Sequence, residues 1–308
     1  DNRLTSVYTS QDGVLYDLDA RYFYYLHGPL ARIELGQDKV QGLDYYYTLQ
    51  GWIKGVNMAG ENAHGFEPGR DGGSGLNQWM GRDEMAYALG YHEEDYTPIG
   101  GVNVNIGVTS NSIWTDNISS GTSGLFNGNI AWMGTDLPHF DDLGEEGIRG
   151  MAYQYDQLHR IKAATSFGSV PGSSFSWSQD DLYNSSYSYD ANGNLMSLKR
   201  YMPNESGSST LIDDLVYSYK SNTNQLTDVK ELVPTVPNAP SFKSHFVANH
   251  NNKYDKIGNL TADKTEEVET IEWTVYGKVA KITYAPDNAW GIDFTTYTYD
   301  VAGNRISK

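Results

Sequence analysis

The residues with the most obvious chemical potential are carboxylates and histidines. Asp141-Asp142, Glu145-Glu146, Asp180-Asp181 and Asp213-Asp214 are paired acids. A glycosidase needs two such groups about 5–10 Å apart across the scissile bond, and spacing along the chain sets no such distance. Each pair lies near Gly, Ser or Asn, where solvated connections are expected; the same oxygen-rich loops offer donors to a Ca2+ ion, and no other cofactor is implied. His92-Glu93-Glu94-Asp95 gathers metal-capable side chains, but no second His stands four residues on, as a helical zinc site requires. The seven His, at 27, 64, 92, 139, 159, 245 and 250, are scattered and read as surface or turn residues. Asp71-Gly72-Gly73-Ser74-Gly75 lacks the Gly-Lys-Ser/Thr ending of a phosphate loop. Its Gly75 follows Ser74 directly, so it is no Gly-x-Ser-x-Gly nucleophile elbow either. The expectation is a protein that is not an enzyme.

Composition points to a scaffold instead. There are 24 Tyr against 9 Phe, with 32 Gly. Tyr and Thr suit a half-buried pleated surface, while Gly and Asn supply turns with positive φ, so the chain reads as mainly all-β with frequent tight turns. The 39 acidic and 22 basic residues give a formal charge of −17. Phosphate backbones are recognised by clustered Lys and Arg, and no such cluster is evident along the chain; nucleic acid and anionic membrane are disfavoured as partners. No stretch approaches the roughly 18 consecutive apolar residues of a membrane helix. Cysteine is absent, which removes disulfides, thiolate metal sites and cysteine nucleophiles together.

Stepping from side chains to the elements that carry them, a repeat emerges. Tyr187-Ser188-Tyr189-Asp190-Ala191-Asn192-Gly193-Asn194-Leu195 returns as Tyr297-Thr298-Tyr299-Asp300-Val301-Ala302-Gly303-Asn304-Arg305-Ile306. A third copy, Asn252-Lys253-Tyr254-Asp255-Lys256-Ile257-Gly258-Asn259-Leu260, keeps one Tyr and the turn. A fourth, Tyr153-Gln154-Tyr155-Asp156-Gln157-Leu158-His159-Arg160-Ile161, keeps the strand and changes the turn. Weaker copies are Tyr217-Ser218-Tyr219-Lys220 leading to Asn224-Gln225-Leu226, and Trp273-Thr274-Val275-Tyr276-Gly277-Lys278-Val279. Tyr22 to Ile33 and Tyr45 to Ile53 have the same cadence. Each copy predicts a β-hairpin. Tyr-x-Tyr puts two rings on one strand face, Asp caps backbone N–H groups, Gly takes positive φ, and Leu or Ile resumes the next strand.

These motifs resemble the YD repeats of Rhs proteins, toxin-complex C components, wall-associated bacterial proteins and teneurins. The resemblance covers 127–308 well and 20–57 moderately, and Gly150 to Ile161 looks like the Rhs-type proteins of Gram-negative bacteria. Three positions depart from the pattern: Lys220 replaces Asp, Asn252 replaces the first Tyr, and His159-Arg160 replaces Gly-Asn; the expectation is locally loosened turns. The resemblance implies a long antiparallel sheet spiralling into a hollow shell that encloses a C-terminal toxin or variable domain. It also implies a self-cleaving core, which is not recognisable in this chain.

Residues 1–308 are therefore expected to be one piece of shell, with the clearest repeats at 127–308. An insertion is expected at about 58–126, including a short helix over Leu76 to Leu89, where apolar residues recur at helical spacing. Asp1 opens the chain without an initiator Met or signal-peptide pattern, and Lys308 falls within a repeat, so an internal piece of a longer polypeptide is expected. Implied partners are the rest of that polypeptide, with secretion machinery (type IX included), an outer-membrane assembly or surface glycans beyond it. The implied location is secreted, or the surface of a Gram-negative cell. Two other functions compete: an adhesive or carbohydrate-binding module using exposed Tyr, and a hydrolase carried on the 58–126 insertion.

Overall fold

The computed structural model describes residues 2–57, 71–72, 77–92, 95–96, 124–137, 148–169, 177–204, 206–233, 253–263 and 266–308. Among them every regular element is a β-strand, in agreement with the all-β expectation. The chain divides into two units, Asp1–Leu182 and Tyr183–Lys308.

The first unit is a meander. β1 (Ser6–Thr9), β2 (Asp17–Tyr24), β3 (Leu30–Leu35), β4 (Gln41–Tyr47), β5 (Ile53–Val56), β6 (Ala86–Gly90), β7 (Trp132–Asp136), β8 (Ile148–Tyr155) and β9 (Ile161–Ser169) lie side by side in chain order, and β10 (Trp177–Gln179) folds back on β9. Antiparallel neighbours need only short hairpin links, which tight turns provide for β2–β3, β3–β4, β4–β5 and β8–β9, whereas residues 57–85, 91–131 and 137–147 separate the strands from β5 to β8. Along β4 burial alternates residue by residue, with Gly42, Asp44 and Tyr46 facing inward. Trp132, Phe167, Ala88 and Val56 make up much of the apolar interior.

That interior also holds charge. The Arg32 guanidinium binds Asp44 through Nη1, and through Nη2 it binds both carboxylate oxygens of Asp71, at 2.6 and 2.9 Å. Arg32, Asp44 and Asp71 are all nearly inaccessible. Gly42 makes room for the cluster, since a Cβ there would lie 2.1 Å from Arg32 Nη2 and 2.2 Å from Asp71 Oδ2. Nearby, Lys54 Nζ binds Asp95 at 2.6 Å, and Asp95 also accepts the Tyr91 N–H.

The second unit is a series of smaller ladders. β11 (Ser185–Tyr189), β12 (Leu195–Pro203), β13 (Ser209–Tyr219) and β14 (Leu226–Glu231) pair in sequence. β15 (Lys253–Tyr254) pairs with β16 (Leu260–Ala262). β17 (Val268–Trp273), β18 (Val279–Tyr284) and β19 (Phe294–Thr296) form a three-stranded sheet, and β20 (Thr298–Tyr299) pairs with β21 (Arg305–Ser307). Ile212, Leu215 and Val229 are its most buried aliphatic residues in β13 and β14.

Two sequence expectations change. The short helix over Leu76 to Leu89 is absent from the described residues of that stretch: 77–79 form a turn, and from Ala86 the chain becomes β6. Gly81 interrupts the stretch and sits against the Val40 carbonyl, while β6 gains ladder bonds from β5 and β7. Pairing outweighs the weak local preference for helix. The acid pair Asp213-Asp214 is no solvated loop but lies within β13; Asp213 is fully buried and accepts Arg200 Nε at 2.7 Å, and Asp214 meets Lys199 at 3.1 Å. Asp180 likewise binds Arg149 and Ser166.

Arg32→Met would strand two buried carboxylates without their guanidinium; losing one partner of a buried ion pair costs about 3–5 kcal/mol, and urea unfolding should show a loss of that order. Gly193 and Gly303 occupy the turns at φ 91° and 84°, so Gly193→Val and Gly303→Val should each cost ~1–3 kcal/mol through backbone strain. Unchanged unfolding midpoints in both glycine variants would contradict the turn assignment.

Candidate functional site

The recurring site is the turn of each hairpin. In Asp190–Asn194 the Gly193 N–H donates to the Asp190 carbonyl at 3.1 Å, and the Asp190 N–H donates to the Asn194 carbonyl at 3.0 Å. This is a tight turn closed by a left-handed residue, and it forces a bulge: Ser188 pairs with Ser197, but Tyr189 pairs with Leu195. The same bonds and the same register shift recur at Asp156–Arg160, Asp255–Asn259, Thr274–Lys278 and Asp300–Asn304.

The side chains explain the residue choices. Asp190 Oδ1 accepts the Asn192 and Asn194 N–H groups, and Oδ2 accepts Asn194 Nδ2. Asp255 is served identically by Ile257 and Asn259, and Asp300 by Ala302 and Asn304. Asn therefore follows Gly because its amide closes a ring back to the Asp. The expected loosening at His159-Arg160 does not occur: His159 adopts φ 63°, and Arg160 Nε reaches Asp156 Oδ2 at 2.6 Å, as the Asn amide does elsewhere. At Lys220 the turn is one residue longer, with Asn222 at φ 59° and Lys220 N–H donating to the Gln225 carbonyl. Asn252 lies outside the described residues.

These bonds hold the turn carboxylates ionised. The Asn194 amide beside Asp190 and the Asn304 amide beside Asp300 keep both acids below the ordinary carboxylate range, helped by backbone N–H groups. At Asp156 and Asp255 partial desolvation pushes upward and is outweighed by the same kinds of donor.

The aromatic just before the turn reaches beyond its own hairpin. Tyr219 Oη donates to the Leu195 carbonyl at 2.8 Å, Tyr254 Oη to Leu226 at 3.1 Å, Trp273 Nε1 to Leu260 at 2.7 Å, and Tyr299 Oη to Val279 at 2.9 Å. In each case the acceptor is the first residue after the preceding hairpin's turn. In the first unit Tyr155 Oη donates to Ile130 at 2.9 Å, and Tyr24 Oη to Leu4 at 2.7 Å. Burial pushes the Tyr155 and Tyr219 hydroxyls upward in pKa, so they keep the proton that they donate.

The geometry also shows why that carbonyl needs a donor. The β12–β13 ladder begins at Ser197 and Val216, so Leu195 lies beyond its end, and a carbonyl left unpaired in a packed wall is costly. The ring OH supplies the missing bond where main-chain pairing stops. Neighbouring turns touch as well: Asn224 Oδ1 accepts Asn194 Nδ2 at 2.9 Å, and Asn127 Nδ2 lies 2.8 Å from His159 Nδ1.

The first Tyr of each pair packs on the sheet. Tyr187 faces Leu198 and Tyr217 faces Val229 across their ladders, Tyr153 Oη lies 3.9 Å from Met133 Sδ, and the Tyr297 ring sits 5.6 Å beneath the Arg305 guanidinium. The residues named from the repeat thus form one device per repeat hairpin, spread along the sheets. The aromatic-to-carbonyl bond has one sequence signal, the constant place of an OH- or NH-bearing ring before the repeat turns. Of the other candidates, His92 stacks on Phe126 at 4.4 Å and His27 on Tyr25 at 5.2 Å, and Asp71 belongs to the Arg32 cluster. Glu93, Glu94, the 141–142 and 145–146 acids and His64, His139, His245 and His250 lie outside the described residues. Among the described residues no group of three or more His, Asp or Glu is placed to hold a metal ion.

No family model and no curated protein match this chain. Among solved structures, the crystal structure of TcdB2-TccC3-Cdc42 is similar at 14% identity and a TM-score of 0.48, covering 98% of this chain and 12% of that one. TcdB2-TccC3 without its hypervariable C-terminal region gives 13% identity and a TM-score of 0.47 over 98% of this chain and 12% of that one. The Photorhabdus luminescens Tc holotoxin pore gives 11% identity and a TM-score of 0.29, over 93% of this chain and 13% of that one. The chain thus spans about an eighth of the length of these structures.

Removing the Tyr219 hydroxyl as Tyr219→Phe should cost ~1 kcal/mol, the usual net value of one hydrogen bond; the exposed Tyr276→Phe should cost nothing measurable in the same urea titration. The four turn acids also carry a sign. Their native pKa values are depressed, so their contribution is fully present above the ordinary carboxylate value and is lost as pH falls through the native values. Unfolding midpoints should hold steady down to about pH 5 and drop below about pH 4, and an Asp190→Asn/Asp300→Asn double variant should show a shallower acid limb.

Proposed function

We propose that this chain is a structural, non-catalytic wall segment of a secreted or cell-surface β-shell that encloses another part of its own polypeptide. The observation that carries the reading is the serial bond from four successive pre-turn aromatics, Tyr219, Tyr254, Trp273 and Tyr299, to the carbonyl after the preceding turn. Such a device lengthens a wall hairpin by hairpin without a conventional core, because each unit needs only its neighbour. Twisted antiparallel sheet curls as it grows, and closing it removes exposed edges. The repeat motif and its resemblance to YD-repeat shells supply the enclosing role, the polypeptide cargo and the Gram-negative secreted setting.

The competing adhesive reading relied on free Tyr faces. Tyr155, Tyr219, Tyr254 and Tyr299 are instead half-buried, with their hydroxyls committed to main-chain carbonyls, which favours a wall over a sugar platform.

The test is limited proteolysis of the product of the complete reading frame. Sequence C-terminal to the repeats should survive a protease dose that degrades the same segment expressed alone, and combined Tyr219→Phe, Tyr254→Phe and Tyr299→Phe changes should shorten that protection. Equal cleavage rates for the segment with and without the repeats would refute enclosure.

A further inference from the structure

The tips of the hairpin turns are apolar. Position two or three of a tight turn is normally polar, since it faces water on both sides. In the second unit, however, Ile257 is 85% exposed, Val275 93%, Tyr276 87%, and Val301 fully so. They occupy three consecutive turns, 255–259, 274–278 and 300–304, which lie beside one another. Trp273 Nε1 bonds the Leu260 carbonyl at 2.7 Å, joining the first two. The Lys278 stem passes 3.8 Å from where a Gly303 Cβ would stand, joining the second and third.

The charge on this edge runs against the rest of the molecule. Over 253–260, 273–279 and 299–306 there are four bases, Lys253, Lys256, Lys278 and Arg305, against two acids, Asp255 and Asp300, a net of +2 in a chain of −17. All four bases are exposed, and none enters an ion pair among the described residues. Both acids are already engaged by three N–H donors from their own turns. The bases are spread over more than fifty residues of sequence, so no cluster is visible until the turns are set side by side.

We propose that this edge docks on an anionic lipid surface. Isolated side chains standing out from turn tips suit insertion between lipid headgroups, where apolar tips bury and neighbouring bases meet lipid phosphates. A protein partner of ordinary affinity needs a broad, complementary area instead, and three narrow turn tips offer little of one. The reading replaces the earlier expectation that an anionic membrane is disfavoured, which rested on the linear distribution of Lys and Arg.

The experiment is co-sedimentation of the intact chain with vesicles of phosphatidylcholine alone or with about 30% phosphatidylserine, at low and high salt. Binding is expected to the anionic vesicles only and to fall with salt. The Ile257→Ser/Val275→Ser/Tyr276→Ser/Val301→Ser variant should lose about tenfold or more in partitioning, while circular dichroism and thermal unfolding stay unchanged because the tips touch little. Lys256→Glu/Lys278→Glu should weaken binding with the apolar tips intact. Absence of vesicle binding, equal binding to neutral vesicles, or wild-type partitioning by the Ser variant would overturn the proposal. So would tips that drive self-association and not vesicle binding.

Discussion

The constraint that recurs through the second unit is a main-chain carbonyl, just after a hairpin turn, that finds its donor on the ring preceding a later turn. A tight turn with a bulge leaves the residue that follows it past the end of the neighbouring ladder, with its C=O facing the next hairpin. At Leu195 and Val279 the ladder to the next strand starts only two residues further on, so no paired strand residue stands opposite to donate. A ring bearing an OH or NH, held at the last strand position before the next turn, is the right length to reach it. Tyr219, Tyr254, Trp273 and Tyr299 all do so. The repeat exists because turn, bulge and ring solve a single hydrogen-bonding problem together.

That requirement accounts for the departures from the motif better than a consensus does. Trp273 replaces Tyr and donates through the indole, so what is retained is a donor on an aromatic stem and not a phenol. His159 and Arg160 replace Gly and Asn, yet the positive φ and the bond to Asp156 both survive. Thr274 takes the Asp position and accepts the Lys278 N–H through its hydroxyl, at 3.1 Å. Side chains vary while the bonds they complete persist.

The hairpins, their turns and the all-β class were legible because they follow from local rules: period-two alternation, Asp and Asn as caps, Gly at positive φ. Less was legible about what crosses between hairpins. Arg32 meets Asp44 twelve residues on and Asp71 thirty-nine residues on, and no local pattern announces such a meeting. Asp213-Asp214 reads as a solvated connection because it follows the Ser- and Gly-rich stretch 206–209, and only the basic pair opposite, Lys199-Arg200, makes the position tolerable within a strand. Leu76 to Leu89 shows helical spacing, but Gly81 and two waiting strand edges decide the outcome. Long-range pairing is what sequence patterns read least well, and the buried ion pairs that cross between hairpins are made of it.

The choice of a carbonyl as acceptor has a consequence for how such a chain changes over time. Every residue type presents the same main-chain oxygen, so the receiving hairpin places no demand on its own side chain: Leu195, Leu226, Leu260, Val279 and Ile130 could each be exchanged without uncoupling the joint. A hairpin can therefore be duplicated, deleted or shuffled with no matching mutation in its neighbour. The joint is a one-sided coupling, like a hook that fits any rail, and it leaves lineages free to alter length and surface while the assembly rule stays fixed.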